Sequence, residues 1–101
     1  MESQKKTFTE SELSALLLEL PEWAIEDGTL VRFWTFRDFV EALAFVNRVA
    51  GLAEKANHHP DIDIRYNRVK LGLVSHDAGG ITARDARMAR ELSALPAAAS
   101  A

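Results

Sequence analysis

With 101 residues the chain is long enough for one domain and too short for two. Its net charge of −3 argues against a nucleic-acid grip built on phosphate neutralisation, and the absence of cysteine excludes a disulfide framework or a thiolate metal site. No apolar run approaches membrane-spanning length, and the polar segment 1–7 lacks the apolar stretch of a signal peptide. A cytoplasmic domain spanning 1–101 is expected, with loose tails at 1–7 and 96–101 and with neither nucleic acid nor membrane as partner. Arg65, Arg68 and Lys70 form a small basic cluster, and Arg84, Arg87 and Arg90 line one side of a helix; both read as solvated faces.

The first element is announced by Thr9 and Glu12, a capping box, with Phe8 and Leu13 at the positions of a hydrophobic staple. Leu13, Leu16, Leu17 and Leu20 follow at helical spacing, and Pro21 stops the helix. Trp23 to Glu26 reads as a short strand. Asp27-Gly28 is a strong hairpin turn, and Leu30 to Phe36 is the returning strand. Asp38 with Glu41 forms a second capping box and opens a helix over about Phe39 to Ala56, whose expected buried stripe is Phe39, Leu43, Val46, Ala50 and Ala53. Asn57 suits a left-handed residue after the helix, and Pro60 cannot continue it.

A second hairpin follows. Ile62, Ile64 and Tyr66 alternate on one strand, and Val69, Leu71 and Leu73 on the next. A turn at Asn67-Arg68 pairs Tyr66 with Val69, Ile64 with Leu71 and Ile62 with Leu73, all apolar. Extended outward, that register sets Ser75 opposite Pro60 and His76 opposite His59. Asp77 to Gly80 reads as a turn. Thr82 with Asp85 forms a third capping box, and Asp85, Met88, Leu92 and Leu95 fall on one stripe, which predicts a half-buried carboxylate.

The chain has three histidines: His58 and His59 side by side after the long helix, and His76 beyond the second hairpin. Adjacent histidines after a helix are often just a polar helix end. Three imidazoles can also hold zinc, but neighbours in an extended segment point apart, and no histidine pair sits at helical spacing. Ser75 beside His76 lacks the strand-turn-helix context of a hydrolytic nucleophile. Acid/base chemistry needs less: an imidazole on either side of a polar substrate protonates a leaving hydroxyl and takes a proton elsewhere. Asp61 and Asp85 are the carboxylates available to orient or charge-balance the imidazoles, with capping the simpler role for Asp85 and a polar strand start the simpler role for Asp61.

Glu54-x-x-x-His58-His59-Pro60, followed by Tyr66, His76 and Asp85, resembles the signature of the pterin-4a-carbinolamine dehydratases. Leu20-Pro21-Glu22-Trp23, Phe36-Arg37-Asp38-Phe39, Arg48-Val49-Ala50 and Ala53-Glu54-Lys55 are also similar to family segments, in family order. The resemblance implies a two-layer α+β domain, order α-β-β-α-β-β-α, with an antiparallel four-stranded sheet and the helices on one face. It implies dehydration of 4a-hydroxytetrahydropterin to quinonoid dihydropterin, in the recycling of the pterin used by aromatic amino-acid hydroxylases, with no metal or organic cofactor. It makes His58, His59 and His76 the active-site imidazoles and places the pterin against Asn57 to His59 and Val74 to Asp77 (Val74, Ser75, His76, Asp77). Glu54, Pro60, Asp61 and Asp85 are then supporting residues. It further implies a homotetramer built as a dimer of dimers. Two departures stand out: Asp61-Ile62 where vertebrate members have Glu-Trp, and Val74 where those members have Ser. The family also holds non-enzymatic members, a dimerisation cofactor for a transcription factor and enzyme assembly factors; the presence of all three histidines favours catalysis over a binding-only role.

Overall fold

The computed structural model describes residues 6–95. Helix α1 spans Glu10–Glu19, strands β1 and β2 span Ala24–Glu26 and Thr29–Thr35, and helix α2 spans Phe39–Ala56. Strands β3 and β4 cover Asp61–Arg65 and Arg68–Leu73, and helix α3 covers Ala83–Ser93. The strands form one antiparallel sheet in the order β1-β2-β4-β3. β2 and β3 therefore run parallel, joined by α2, with β4 inserted between them. The expected α+β architecture and element order are those observed. The tails expected at 1–7 and 96–101 fall largely outside the described residues. Phe8 is tied down, its N–H donating to the Ile81 carbonyl at 2.8 Å.

The core lies between the helices and one face of the sheet. Leu30, Trp34, Val69, Leu71 and Leu73 supply the sheet side, and Leu16, Ala42, Phe45, Val49, Met88 and Leu92 the helix side. Trp34 stands edge-on to Trp23 at 5.8 Å and packs on Phe45 at 4.9 Å; Phe36 meets Phe45 at 5.1 Å. Such ring pairs add roughly 0.5–1.5 kcal/mol each beyond the area they bury. Trp23 also needs a partner for its indole N–H, and finds it in Ser93 Oγ at 2.8 Å, at the end of α3.

That aromatic cluster decides which side of α2 faces inward. The buried residues are Ala42, Phe45, Val49 and Ala53, not the expected stripe. Of that stripe only Ala53 is buried; Val46 is half-buried, Ala50 is exposed, and Phe39 and Leu43 are 45% and 40% exposed. The helix carries two overlapping apolar stripes, so periodicity alone could not separate them. Small Ala42 and Ala53 let the helix approach the sheet, and Phe45 fills the space between Trp34 and Phe36.

The turn chemistry holds at the first hairpin: Asp27 and Gly28 both take positive φ, 50° and 76°. The second hairpin corrects the sequence reading. Its turn is Tyr66-Asn67, with Ile64 opposite Val69, Ile62 opposite Leu71 and Arg65 opposite Arg68. The slip of two residues keeps every side chain on its expected face, so the alternation was satisfied by either register. Asn67 settles it by working outside the hairpin. Its carbonyl accepts from the Phe36 N–H and its side-chain amide donates to the Phe36 carbonyl, both at 2.8 Å. Tyr66 takes the left-handed position instead, φ 54°. The observed register also sets Asp63 opposite Lys70, an attractive cross-strand pair.

The capping boxes at Thr9 and Thr82 are complete. At α2 the Asp38 side chain accepts from the Glu41 N–H at 3.0 Å, but Glu41 turns to Arg37, accepting from its N–H at 3.0 Å and pairing with its guanidinium at 2.7 Å. Arg84 and Arg90, expected to be solvated, are both paired: Arg84 with Asp77 and Arg90 with Glu19. The second pair ties the end of α1 to α3, and the Arg90 hydrogen bond holds the Glu19 carboxyl below its usual 4.5. A depressed carboxyl stabilises the fold above its unfolded pKa and loses that contribution as pH falls through the folded value. Glu19→Gln is therefore expected to melt at a slightly lower temperature than wild type at neutral pH. Melting curves recorded at decreasing pH should show the difference closing below 4.5.

Candidate active site

The end of α2 places the histidines. Asn57 adopts the left-handed conformation, φ 52° and ψ 43°. Its N–H returns to the Glu54 carbonyl at 3.3 Å, and the His58 N–H to the Ala53 carbonyl at 3.1 Å. This is the Schellman arrangement, which closes the helix and sends the chain off sharply. His58 and His59 leave it in different directions. The His58 side chain is 14% exposed and turns inward to Asp85, Nε2 to Oδ1 2.6 Å. His59 is 55% exposed and folds back over the helix end, Nε2 to Glu54 Oε2 2.6 Å. Pro60, buried, seats the start of β3.

Asp85 is fully buried at the third position of α3. Its two oxygens do separate work. Oδ2 completes the capping box, accepting from the Thr82 N–H at 2.9 Å, and also accepts from Ser75 Oγ at 2.9 Å. Oδ1 faces His58. The sequence reading expected a half-buried cap; the structure gives a wholly buried carboxylate that caps with one oxygen and orients an imidazole with the other.

His76 is exposed and stands in the tight turn after β4. The turn is pinned by Ser75, whose N–H donates to the Gly80 carbonyl at 2.9 Å and whose carbonyl accepts from Gly79 at 2.9 Å. Arg84 Nη2 bonds Asp77 Oδ1 at 2.6 Å, tying the same turn to the first residues of α3. His58 and the His76 turn therefore rest on one support, the N-terminus of that helix.

The expected opposition of His59 and His76 does not occur, because the hairpin register differs. Carried three residues past Asp61 and Gly72, the observed register faces His58 to Ser75, and both reach Asp85. Asp61 is not brought to an imidazole; it takes the first ladder position opposite Gly72 and borders a hollow of about 420 Å³ on the open sheet face. Ile62 is 40% exposed and Val74 half-buried. A second hollow of about 300 Å³ on the same face is lined by Phe33, Asp63, Arg65, Arg68 and Lys70. Among the described residues no group of three His, Cys, Asp or Glu side chains is placed to hold a metal ion, and no helix is long and apolar enough to cross a membrane. Sequence reasoning did not see the Ser75–Thr82 contact or the Arg84–Asp77 pair. The capping box was the available signal, since it occupies only one oxygen of Asp85.

Fold and site together define a small two-layer α+β protein that presents histidines where a hairpin opens onto a helix N-terminus. The chain matches the family model described as pterin 4 alpha carbinolamine dehydratase over residues 6–95, and it belongs to that family. It is 58% identical over 83 residues to a Thermomicrobium roseum protein provisionally named pterin-4-alpha-carbinolamine dehydratase, covering 82% of this chain and 89% of that one. A crystal structure of a transcriptional coactivator/pterin dehydratase from Brucella melitensis superposes with a TM-score of 0.84 at 37% identity, covering 88% of this chain and 97% of that one. A pterin dehydratase-like protein identified as a RuBisCO assembly factor in the alpha-carboxysome shares the fold alone, at 22% identity and a TM-score of 0.59, over 72% of this chain and 84% of that one.

Losing Asp85 removes a buried acceptor from Ser75, Thr82 and His58 at once. Asp85→Ala is expected to reduce stability by about 1–3 kcal/mol, the range for leaving a buried hydrogen-bonding group unsatisfied. Urea unfolding of the variant beside wild type measures this.

Proposed function

We propose that this chain dehydrates 4a-hydroxytetrahydropterin (pterin-4a-carbinolamine) to quinonoid dihydropterin and water by histidine acid/base catalysis. The observation that carries the reading is His58, held at 2.6 Å by a buried carboxylate that also braces the turn bearing His76. In the reaction the C4a–O bond breaks as its hydroxyl is protonated and leaves as water, and a ring N–H gives up its proton to complete the new double bond. His58 and His76 serve as acid and base, an effect worth roughly 10²–10⁴-fold. His59, tethered to Glu54 and exposed, binds and orients the substrate with Asn57, Val74 and the 75–77 backbone. The product returns to the pterin pool of an aromatic amino-acid hydroxylase. No metal takes part.

Stopped-flow dehydration of freshly made 4a-carbinolamine is the direct test. Acceleration that survives chelator is expected; activity lost to chelator and restored by zinc would overturn the acid/base reading, and no acceleration at all would favour the binding-only role known among relatives. His58→Ala and His76→Ala should each lower kcat strongly, and the double variant should lose less than the product of the two, because they act as a unit on one substrate. His59→Ala should raise KM more than it lowers kcat.

Self-association as a dimer of dimers belongs to the same reading. Val40 is 73% exposed beside Phe39 and Leu43 on the outer side of α2, and Phe33 is 49% exposed on the open sheet face. Apolar surface of this kind is commonly covered by a partner. Sedimentation at micromolar concentration is expected to show an oligomer; a compact monomer would contradict it.

A further inference from the structure

The Ser75 side chain is 1% exposed, so its hydroxyl is closed off from any bound substrate and is engaged inside the protein. Ser75 Oγ lies 2.8 Å from Thr82 Oγ1 and 2.9 Å from Asp85 Oδ2. A hydroxyl has one proton, so the direction of each bond follows from the groups at the two ends. At one end the Arg84 backbone N–H can only donate, and it donates to Thr82 Oγ1 at 3.2 Å. At the other end Asp85 Oδ2, a carboxylate oxygen, accepts from the Thr82 N–H and from Ser75. Ser75 therefore gives its proton to Asp85, and Thr82 gives its own to Ser75.

The result is a relay of one polarity, running from the first amides of α3 through Thr82 and Ser75 to Asp85. With two donors already on Oδ2, the carboxylate is an acceptor at both oxygens. Its Oδ1 can hold His58 Nε2 at 2.6 Å only if Nε2 carries the proton. We propose that Ser75 is a positioning residue that, through Asp85, locks His58 as the Nε2–H tautomer and leaves Nδ1 as the nitrogen that exchanges a proton with substrate. The tautomer follows from the hydrogen bonds; the identity of the proton exchange rests on the dehydratase reading. Ser75→Ala removes one donor from Oδ2 and leaves the Thr82 hydroxyl without its acceptor. The carboxylate then keeps only the Thr82 N–H on Oδ2 and is held less firmly, which lets the ring change tautomer.

Protein labelled with ¹⁵N in histidine, with His58 assigned through His58→Gln, reports the tautomer directly in long-range ¹H–¹⁵N spectra. Wild-type His58 is expected to show a protonated Nε2 and a bare Nδ1. Ser75→Ala should show mixed tautomers and a kcat lowered roughly tenfold with KM nearly unchanged, the scale of a lost hydrogen bond to a charged group. Thr82→Val, which keeps the side-chain volume and breaks the relay one bond earlier, should shift the tautomer in the same direction and provides the test if Ser75→Ala does not fold. A wild-type His58 protonated on Nδ1, or relay variants with unchanged tautomer and kcat, would overturn the proposal. A wild type without turnover whose His58 still loses its Nε2–H form in Ser75→Ala would overturn the dehydratase reading while supporting the relay.

Discussion

The buried carboxylate of Asp85 is the constraint on which the functional end of this protein depends. An ionised group with no access to solvent must have its lone pairs satisfied inside the protein. Here they are met by three elements that are distant in sequence: the opening turn of α3, the exit of β4 and the exit of α2. Helix N-termini favour negative charge, because their first amides point outward unpaired. That bias lets a carboxylate sit at the third helical position while one of its oxygens remains available to an imidazole.

Much of the fold was legible because several local rules agreed. The Thr9 and Thr82 boxes, the Asp27-Gly28 turn and the left-handed Asn57 each rest on side-chain chemistry that acts within four residues, and each is observed. Where the rules were degenerate the sequence was silent. The hairpin alternation is the same in two registers, and the bonds from Asn67 to Phe36 and the Asp63–Lys70 pairing distinguish them. The two apolar stripes of α2 are equally periodic, and the choice was made by Trp34 and Phe36 on another element.

The site was legible in its residue types and less so in its pairings. His58, His59, His76 and Asp85 were all singled out, yet the expected geometry joined His59 to His76. The structure instead joins His58 to Asp85 and His59 to Glu54. Adjacent histidines are separated by the helix end, which puts one in the interior and the other in water. Asp61 illustrates the converse: a carboxylate near the histidines in sequence belongs to the open face of the sheet once the strand begins.

The β3–β4 hairpin divides the labour of the chain. Every side chain assigned a part at the site lies between Glu54 and Asp85, whereas α1, β1, β2 and most of α2 supply only the apolar platform. His58 lies three residues before the hairpin and Ser75 two residues after it, so closing one short loop brings the two ends of the site together. The entropy of that closure grows only slowly with loop length and is small here. Most of the chain can therefore drift in sequence, so long as it remains apolar where it packs, without disturbing the groups that would meet a substrate.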